Sequence, residues 1–280
     1  MIRLPNKDFS LKDTFECGQC FRWEERATGY VGVAFNAAAH IFEDNGQIFL
    51  EGTREDFWEN YFDLDRDYGK IKNAVSTNDV MRAAVRYGGG IRILRQDFFE
   101  TLISFIISQR SSIPKIKSTV RKMCERWGDK IEFYGDTYFA FPAPEALAGA
   151  SESELRSLGM GYRAPYVLSA ARAFCAGFFC DIYSLPTPLA RQKLLSLYGV
   201  GDKVCDCVLL FSLARYDIFP SDVWIKRVME EEFSAPDAKS AGENLFGEYS
   251  GFAQQYLFYW RKFSSNVAIG SASKKPTIKR

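Results

Sequence analysis

Histidine is nearly absent from this chain: His40 is the only one in 280 residues. One imidazole argues against a Ser-His-Asp triad and against a metal site with several histidine ligands. An excess of charge of one sign is also missing, since the net charge is +1. Bulk charge therefore does not point to nucleic acid. Local basic patches still bind phosphate, because the field that matters at physiological salt is local. No stretch is long and apolar enough to span a membrane, and Met1-Ile2-Arg3-Leu4-Pro5-Asn6-Lys7 has no apolar run of the signal-peptide kind. Cys17-Gly18-Gln19-Cys20 has CxxC spacing, but no second pair follows, and the four-cysteine spacing of an iron–sulfur site is lacking. The seven cysteines are an odd number scattered over a long chain. They read as reduced thiols in an intracellular protein, with no cofactor and no catalytic metal.

What is present is apolar residue, 47% of the chain, enough for two domains or one large one. Residues 1 to about 52 read as strands, with Tyr30–Ala34 and Gln47–Glu51 the clearest. Asp44-Asn45-Gly46 between them predicts a hairpin, because Asn and Gly tolerate positive φ. Thr53 is expected to open a helix, its hydroxyl capping and Glu55 and Asp56 in the first turn. Residues 97–127 carry a long apolar pattern broken at Ser108-Gln109-Arg110-Ser111-Ser112, with Pro114 opening the second helix. Further helices are predicted at 152–158, 163–176, 187–197, 202–213, 222–233, 237–248 and 250–263. The fold class is α+β: an amino-terminal domain over 1–85, a mostly helical body over 86–263, and a basic, mobile tail over 264–280.

Leu197-Tyr198-Gly199-Val200-Gly201-Asp202-Lys203 reads as a helix end, a tight hairpin and a new helix. Backbone amides at Gly199, Val200 and Gly201, with the positive end of the next helix, can hold a DNA phosphate. The hairpin carbonyls can also hold a monovalent cation. A lone GxG is equally an ordinary turn between helices. Lys203 lies in the first helical turn, where the dipole disfavours a second positive charge and so favours the neutral, nucleophilic amine. Such an amine can attack a sugar C1′ and leave a Schiff base, which acidifies the C2′ proton and permits β-elimination. Cys207, four residues on, shares its helix face and can pack flat on a base or pair with the lysine. Asp222 is placed at a helix start, where a carboxylate stays ionised and can steady a sugar cation. Taken alone, Asp222 is also a plain N-cap and Lys203 a solvated charge.

Together these residues resemble the helix-hairpin-helix DNA glycosylase superfamily. Five further stretches are similar to its 8-oxoguanine DNA glycosylase/lyase family: Cys17–Trp23, Tyr61–Asp65, Arg92–Asp97, Leu158–Ala164 and Phe252–Phe258, in the expected order from about residue 10 to 263. The resemblance implies an antiparallel sheet domain packed on a helical body, with DNA in the cleft. It implies that Lys203 is the nucleophile and Asp222 its assistant, acting on 8-oxoguanine in double-stranded DNA. The enzyme would be a monomer found with the DNA, in a bacterial cytoplasm or a eukaryotic nucleus. Gly18 would offer its carbonyl to N7–H of the oxidised base, which guanine lacks. Phe258 and Cys207 would sandwich the flipped base, and Gln254 would read its Watson–Crick edge. Tyr162 would wedge into the duplex and Arg163 would bond the orphaned partner base, expected to be cytosine. The alternatives are a glycosylase for another damaged base and a non-catalytic helix-hairpin-helix DNA-binding module.

Three departures from the family pattern stand out. The break containing Arg110 replaces an asparagine-rich run near the orphaned base. Lys115 stands where an arginine that reads cytosine is expected, and a lysine cannot make a bidentate fork, so looser opposite-base discrimination follows. Trp224 stands where a phosphate-contacting histidine is expected.

Overall fold

Short runs of β-branched and aromatic residues build the first layer. Strands β1 (Ile2–Leu4), β2 (Trp23–Arg26), β3 (Gly29–Ala34), β4 (Ala37–Asp44) and β5 (Gln47–Gly52) pair antiparallel in the order β1-β5-β4-β3-β2. Asn45 and Gly46, at φ 49° and 72°, turn β4 into β5 as predicted. The sheet packs with α1 (Leu11–Glu16) and α2 (Trp58–Tyr61) over an aromatic core that includes Phe15, Trp23, Trp58 and Phe62. The computed structural model describes the backbone of residues 1–271 and the side chains of residues 1–264.

Thr53 does not open a helix. Its amide donates to the Ala38 carbonyl at 2.9 Å and its hydroxyl accepts from the Ala38 amide at 3.2 Å, which finishes the sheet instead. The helix α2 starts five residues later without a side-chain cap.

The body follows with α3 (Tyr68–Val75), α4 (Asp79–Tyr87), α5 (Phe98–Ile107) and α6 (Ile113–Trp127), then a hairpin of β6 (Lys130–Phe133) and β7 (Asp136–Phe139). After it come α7 (Pro144–Ala148), α8 (Glu152–Leu155), α9 (Ala164–Cys175), α10 (Thr187–Leu195), α11 (Asp202–Phe211), α12 (Val223–Phe233), α13 (Ala238–Phe246) and α14 (Ser250–Ser271). Apolar on every side, α5 is buried from Phe98 to Ile107 and runs through the middle of the helical core. Although α3 and most of α4 lie before residue 86, their Tyr68, Ile71, Val75, Met81 and Ala84 belong to this second core. The last helix takes in the start of the segment expected as a tail; residues 272–280 lie outside the described residues.

Two buried ties seat the amino-terminal layer on the body. Arg22 pairs with Glu100 of α5 at 3.0 Å. Gln19, fully buried, donates to the Arg92 carbonyl at 2.8 Å and accepts from the Leu94 amide at 2.9 Å. Both follow the Gly18 turn closely in the chain and anchor its exit.

Candidate active site

The hairpin between α10 and α11 is built around Gly199. Its φ is 84°, and a Cβ there would lie 2.1 Å from the Tyr166 ring, so only glycine fits. Gly201 differs: its φ is −102° and open space surrounds it. It caps α11 without a side-chain bond, leaving the first-turn amides open to an anion. The Gly199 carbonyl accepts from the Gln109 side chain at 3.0 Å, and the Leu197 carbonyl accepts from the Val200 amide at 3.1 Å.

Lys203, on the first turn of α11, is half-buried. Its Nζ lies 3.3 Å from Ser108 Oγ and 4.8 Å from the centroid of the Phe105 ring. Opposite, Asp222 caps α12. One oxygen, Oδ1, accepts from both the Trp224 amide at 2.9 Å and the Ile225 amide at 3.0 Å. Among the described residues Oδ2 has no hydrogen-bond partner. The aspartate is therefore an N-cap and still keeps one oxygen for other work.

Lys203, Asp222, Gly18 and Phe258 line two adjoining spaces. The outer is a cleft of about 590 Å³, which Ser108, Arg110, Gly201, Trp224 and Lys262 also line. The inner is a pocket of about 40 Å³ closed by Cys207, Pro220, Gln254 and Gln255. Lys203 and Asp222 stand at the junction of the two. Gly18, at φ 84°, lies edge-on to Phe258, since a Cβ there would approach the ring at 3.3 Å. Gln254 is buried, and its Oε1 has no hydrogen-bond partner among the described residues. An unpartnered buried amide costs free energy unless something enters the pocket to meet it.

Burial pushes the Cys207 thiol up to about 11, against the opposing pull of Lys203. Burial thus favours the protonated, polarisable sulfur over a thiolate paired with the lysine. Cys17 is likewise buried and pushed up to about 12, and the Cys20 thiol is also raised by burial. The CxxC pair is structural, and no group of three or more histidine, cysteine or acidic side chains fit for a metal occurs among the described residues. Asp206 faces away from the cleft, where Arg191 of α10 and Lys239 of α13 both bond it, the latter at 2.9 Å. It clamps α11 to its neighbours.

Both parts of the chain match known protein families. A model of the 8-oxoguanine DNA glycosylase amino-terminal domain matches residues 1–102, and a model of the HhH-GPD superfamily of base-excision DNA repair proteins matches residues 103–246. The probable N-glycosylase/DNA lyase of Methanothermobacter thermautotrophicus is 32% identical over 302 residues, covering 92% of this chain and 95% of the relative. The chain belongs to the 8-oxoguanine DNA glycosylase/lyase family. The N-glycosylase/DNA lyase of Saccharomyces cerevisiae is 35% identical over 281 residues, 89% of this chain and 75% of its own. The crystal structure of Clostridium acetobutylicum 8-oxoguanine glycosylase/lyase with double-stranded DNA containing cytosine opposite 8-oxoG matches with a TM-score of 0.88 at 38% identity, over 92% of this chain and 93% of that one.

In this family member the residues expected at the partner base are arranged unevenly. Tyr162 is 45% exposed at the turn before α9, its hydroxyl donating to the Gln109 carbonyl at 3.3 Å. Arg163 is buried. Its guanidinium donates to the carbonyls of Gln109 (Nε, 2.7 Å), Arg110 (3.1 Å) and Met160 (3.3 Å). Here it holds the 109–110 loop rather than presenting a free edge. Arg110 is exposed at φ 47°, and Lys115 is exposed on α6 outside the cleft lining. Phe105, Ser108, Gln255 and Lys262 were not singled out from sequence as site residues. The spacing of Lys262, four residues past Phe258 and eight past Gln254, was the one available signal.

Proposed function

We propose that this protein excises 8-oxoguanine from duplex DNA and cleaves the strand at the resulting abasic site. The observation that carries the reading is the meeting of Lys203 Nζ and Asp222 at the mouth of a pocket whose walls are Gly18, Cys207, Gln254 and Phe258. An extruded base enters between the Phe258 ring and the Cys207 thiol, and since the inner space of about 40 Å³ is smaller than a purine, the Phe258 ring moves outward to admit it. The Gly18 carbonyl, without a hydrogen bond among the described residues, accepts from N7–H of the oxidised base. Guanine brings an acceptor at that place, and two acceptors repel. Gln254 meets the Watson–Crick edge and so fills its missing partnership.

With the base seated, the neutral Lys203 amine forms a bond to C1′ as the N-glycosidic bond breaks; the electron pair leaves with the base, which takes up the proton that the nitrogen sheds. Asp222 carries negative charge beside the sugar while positive charge builds there. Opening of the sugar ring gives an iminium on Lys203. Loss of the C2′ proton then expels the 3′ phosphate, the β-elimination that nicks the strand. The amides of Gly199 and Gly201 with the start of α11 hold a backbone phosphate and fix the register, while the Val200 amide, expected to join them, is bonded to the Leu197 carbonyl.

Borohydride trapping tests the reading. An 8-oxoguanine duplex should give a covalent adduct with the wild-type protein and none with Lys203→Gln, which should still bind DNA. Normal cleavage by Lys203→Gln would reject the mechanism and favour a DNA-binding role for the hairpin. Excision of some other lesion in place of 8-oxoguanine would reject the base assignment alone.

A further inference from the structure

Lys262 has no part in the chemistry above, yet it faces the same cleft. It follows Phe258 by one helical turn on α14, and Gln254 by two, so the three share a helix face. Its Nζ stands 4.8 Å from the Phe258 ring centroid and 5.4 Å from that of Phe263. Among the described residues it makes no hydrogen bond and no ion pair, although it is half-buried. The ring contacts engage its charge but leave three N–H donors unused. Burial, joined by the charge of Lys203, lowers its affinity for a proton, and Asp222 opposes that.

The surroundings say what would satisfy it. The cleft is lined by four cations, Arg110, Lys203, Lys226 and Lys262, and two carboxylates, Asp202 and Asp222. That is a local excess of positive charge on a chain whose net charge is only +1. A half-buried cation that feels Asp222 but makes no ion pair or hydrogen bond with it gains from an arriving anion. Duplex DNA carries one at every nucleotide. Lys262 lines the outer cleft but not the inner pocket, so it lies beside the backbone of an extruded nucleotide rather than beside its base.

We propose that Lys262 is a DNA-backbone ligand of the active site, donating to a phosphodiester next to the extruded nucleotide and steadying its sugar over Lys203. The proposal rests on the glycosylase reading. A point charge suits the task, because a phosphate approached from one side needs no planar fork.

The test uses the full chain with 8-oxoguanine duplexes and the variants Lys262→Gln and Lys262→Arg. Lys262→Gln should raise KM roughly tenfold while kcat stays within about twofold, and should flatten the slope of log binding constant against log salt by about 0.9. Lys262→Arg should restore both. Uncharged methylphosphonate linkages are then placed one at a time around the lesion. At one of them the wild type should fall to the Lys262→Gln level, and the variant should lose nothing more. A wild-type KM and salt slope in Lys262→Gln would overturn the proposal, as would a deficit that adds to that of every methylphosphonate. A borohydride adduct mapped to Lys262 would also overturn it, by making the amine a sugar ligand. If the wild type leaves 8-oxoguanine in place, the base assignment fails. The salt slope still decides Lys262, since it is read from binding without chemistry.

Discussion

The side-chain amide of Gln255 donates to the carbonyl of Cys17 at 2.8 Å, joining α14 to the turn that carries Gly18. Gln254, its neighbour, lines the inner pocket. Adjacent residues of one helix thus divide two tasks: one faces the inner pocket and the other pins the opposite wall. Gln255→Leu should cost about 1–2 kcal/mol of stability, since a buried carbonyl loses its donor. Excision of 8-oxoguanine should fall by at least about tenfold, while lyase action on a ready-made abasic site falls much less. Equal losses on both substrates would show that the bond acts only through folding.

Asp222 offers a cleaner separation of structure from chemistry. Asp222→Asn keeps an oxygen for the Trp224 and Ile225 amides, so the thermal midpoint should hold within a few degrees. Single-turnover excision should drop by about 10²–10³, the scale of losing one electrostatic stabiliser. Asp222→Ala should lose the cap as well, about 1 kcal/mol. Thermal melts and single-turnover kinetics on both variants check this.

The two hairpin glycines should respond differently. Gly199→Ala meets the Tyr166 ring and a strained φ, so it should destabilise by about 1–3 kcal/mol and weaken DNA binding. Gly201→Ala, in an ordinary conformation with open space, should leave the melting temperature nearly unchanged.

The Cys207 thiol makes a prediction about alkaline pH. Its folded value, about 11, lies above the ordinary 9.0. The fold therefore favours the protonated form. The stability it contributes is complete below pH 9 and is lost as pH rises from 9 to about 11, because the unfolded thiol ionises first. Cys207→Ser should show a shallower fall of the melting temperature over that window than the wild type.

Lys115 is the remaining test of specificity. Its exposed amine replaces an arginine expected at the partner base. Excision opposite all four bases should vary by less than about tenfold, and Lys115→Arg should steepen the preference for cytosine. A strong cytosine preference in the wild type would refute this assignment.

Local backbone rules explain what the sequence disclosed. The Asn45-Gly46 turn was readable because both residues sit at positive φ. Helix α6 was readable because Pro114 marks its first turn. The Thr53 expectation failed because a capping hydroxyl looks the same whether its donor is the next helical turn or a strand neighbour. The β6–β7 hairpin went unseen, although Tyr134-Gly135, at φ 54° and 81°, carries the same turn signature as the first. For the site, Lys203, Cys207 and Asp222 follow from the glycine hairpin and the helix starts, and Gly18, Gln254 and Phe258 from the family resemblance. The burial of Arg163 against carbonyls of a loop 53 and 54 residues away is set by tertiary packing, to which no local pattern points.

The protonated sulfur at the base pocket bears on resistance to oxidation as well as on catalysis. Peroxides attack thiolates far faster than thiols. By burying Cys207 and favouring its protonated form, the fold should slow oxidation of the sulfur that lines the inner pocket.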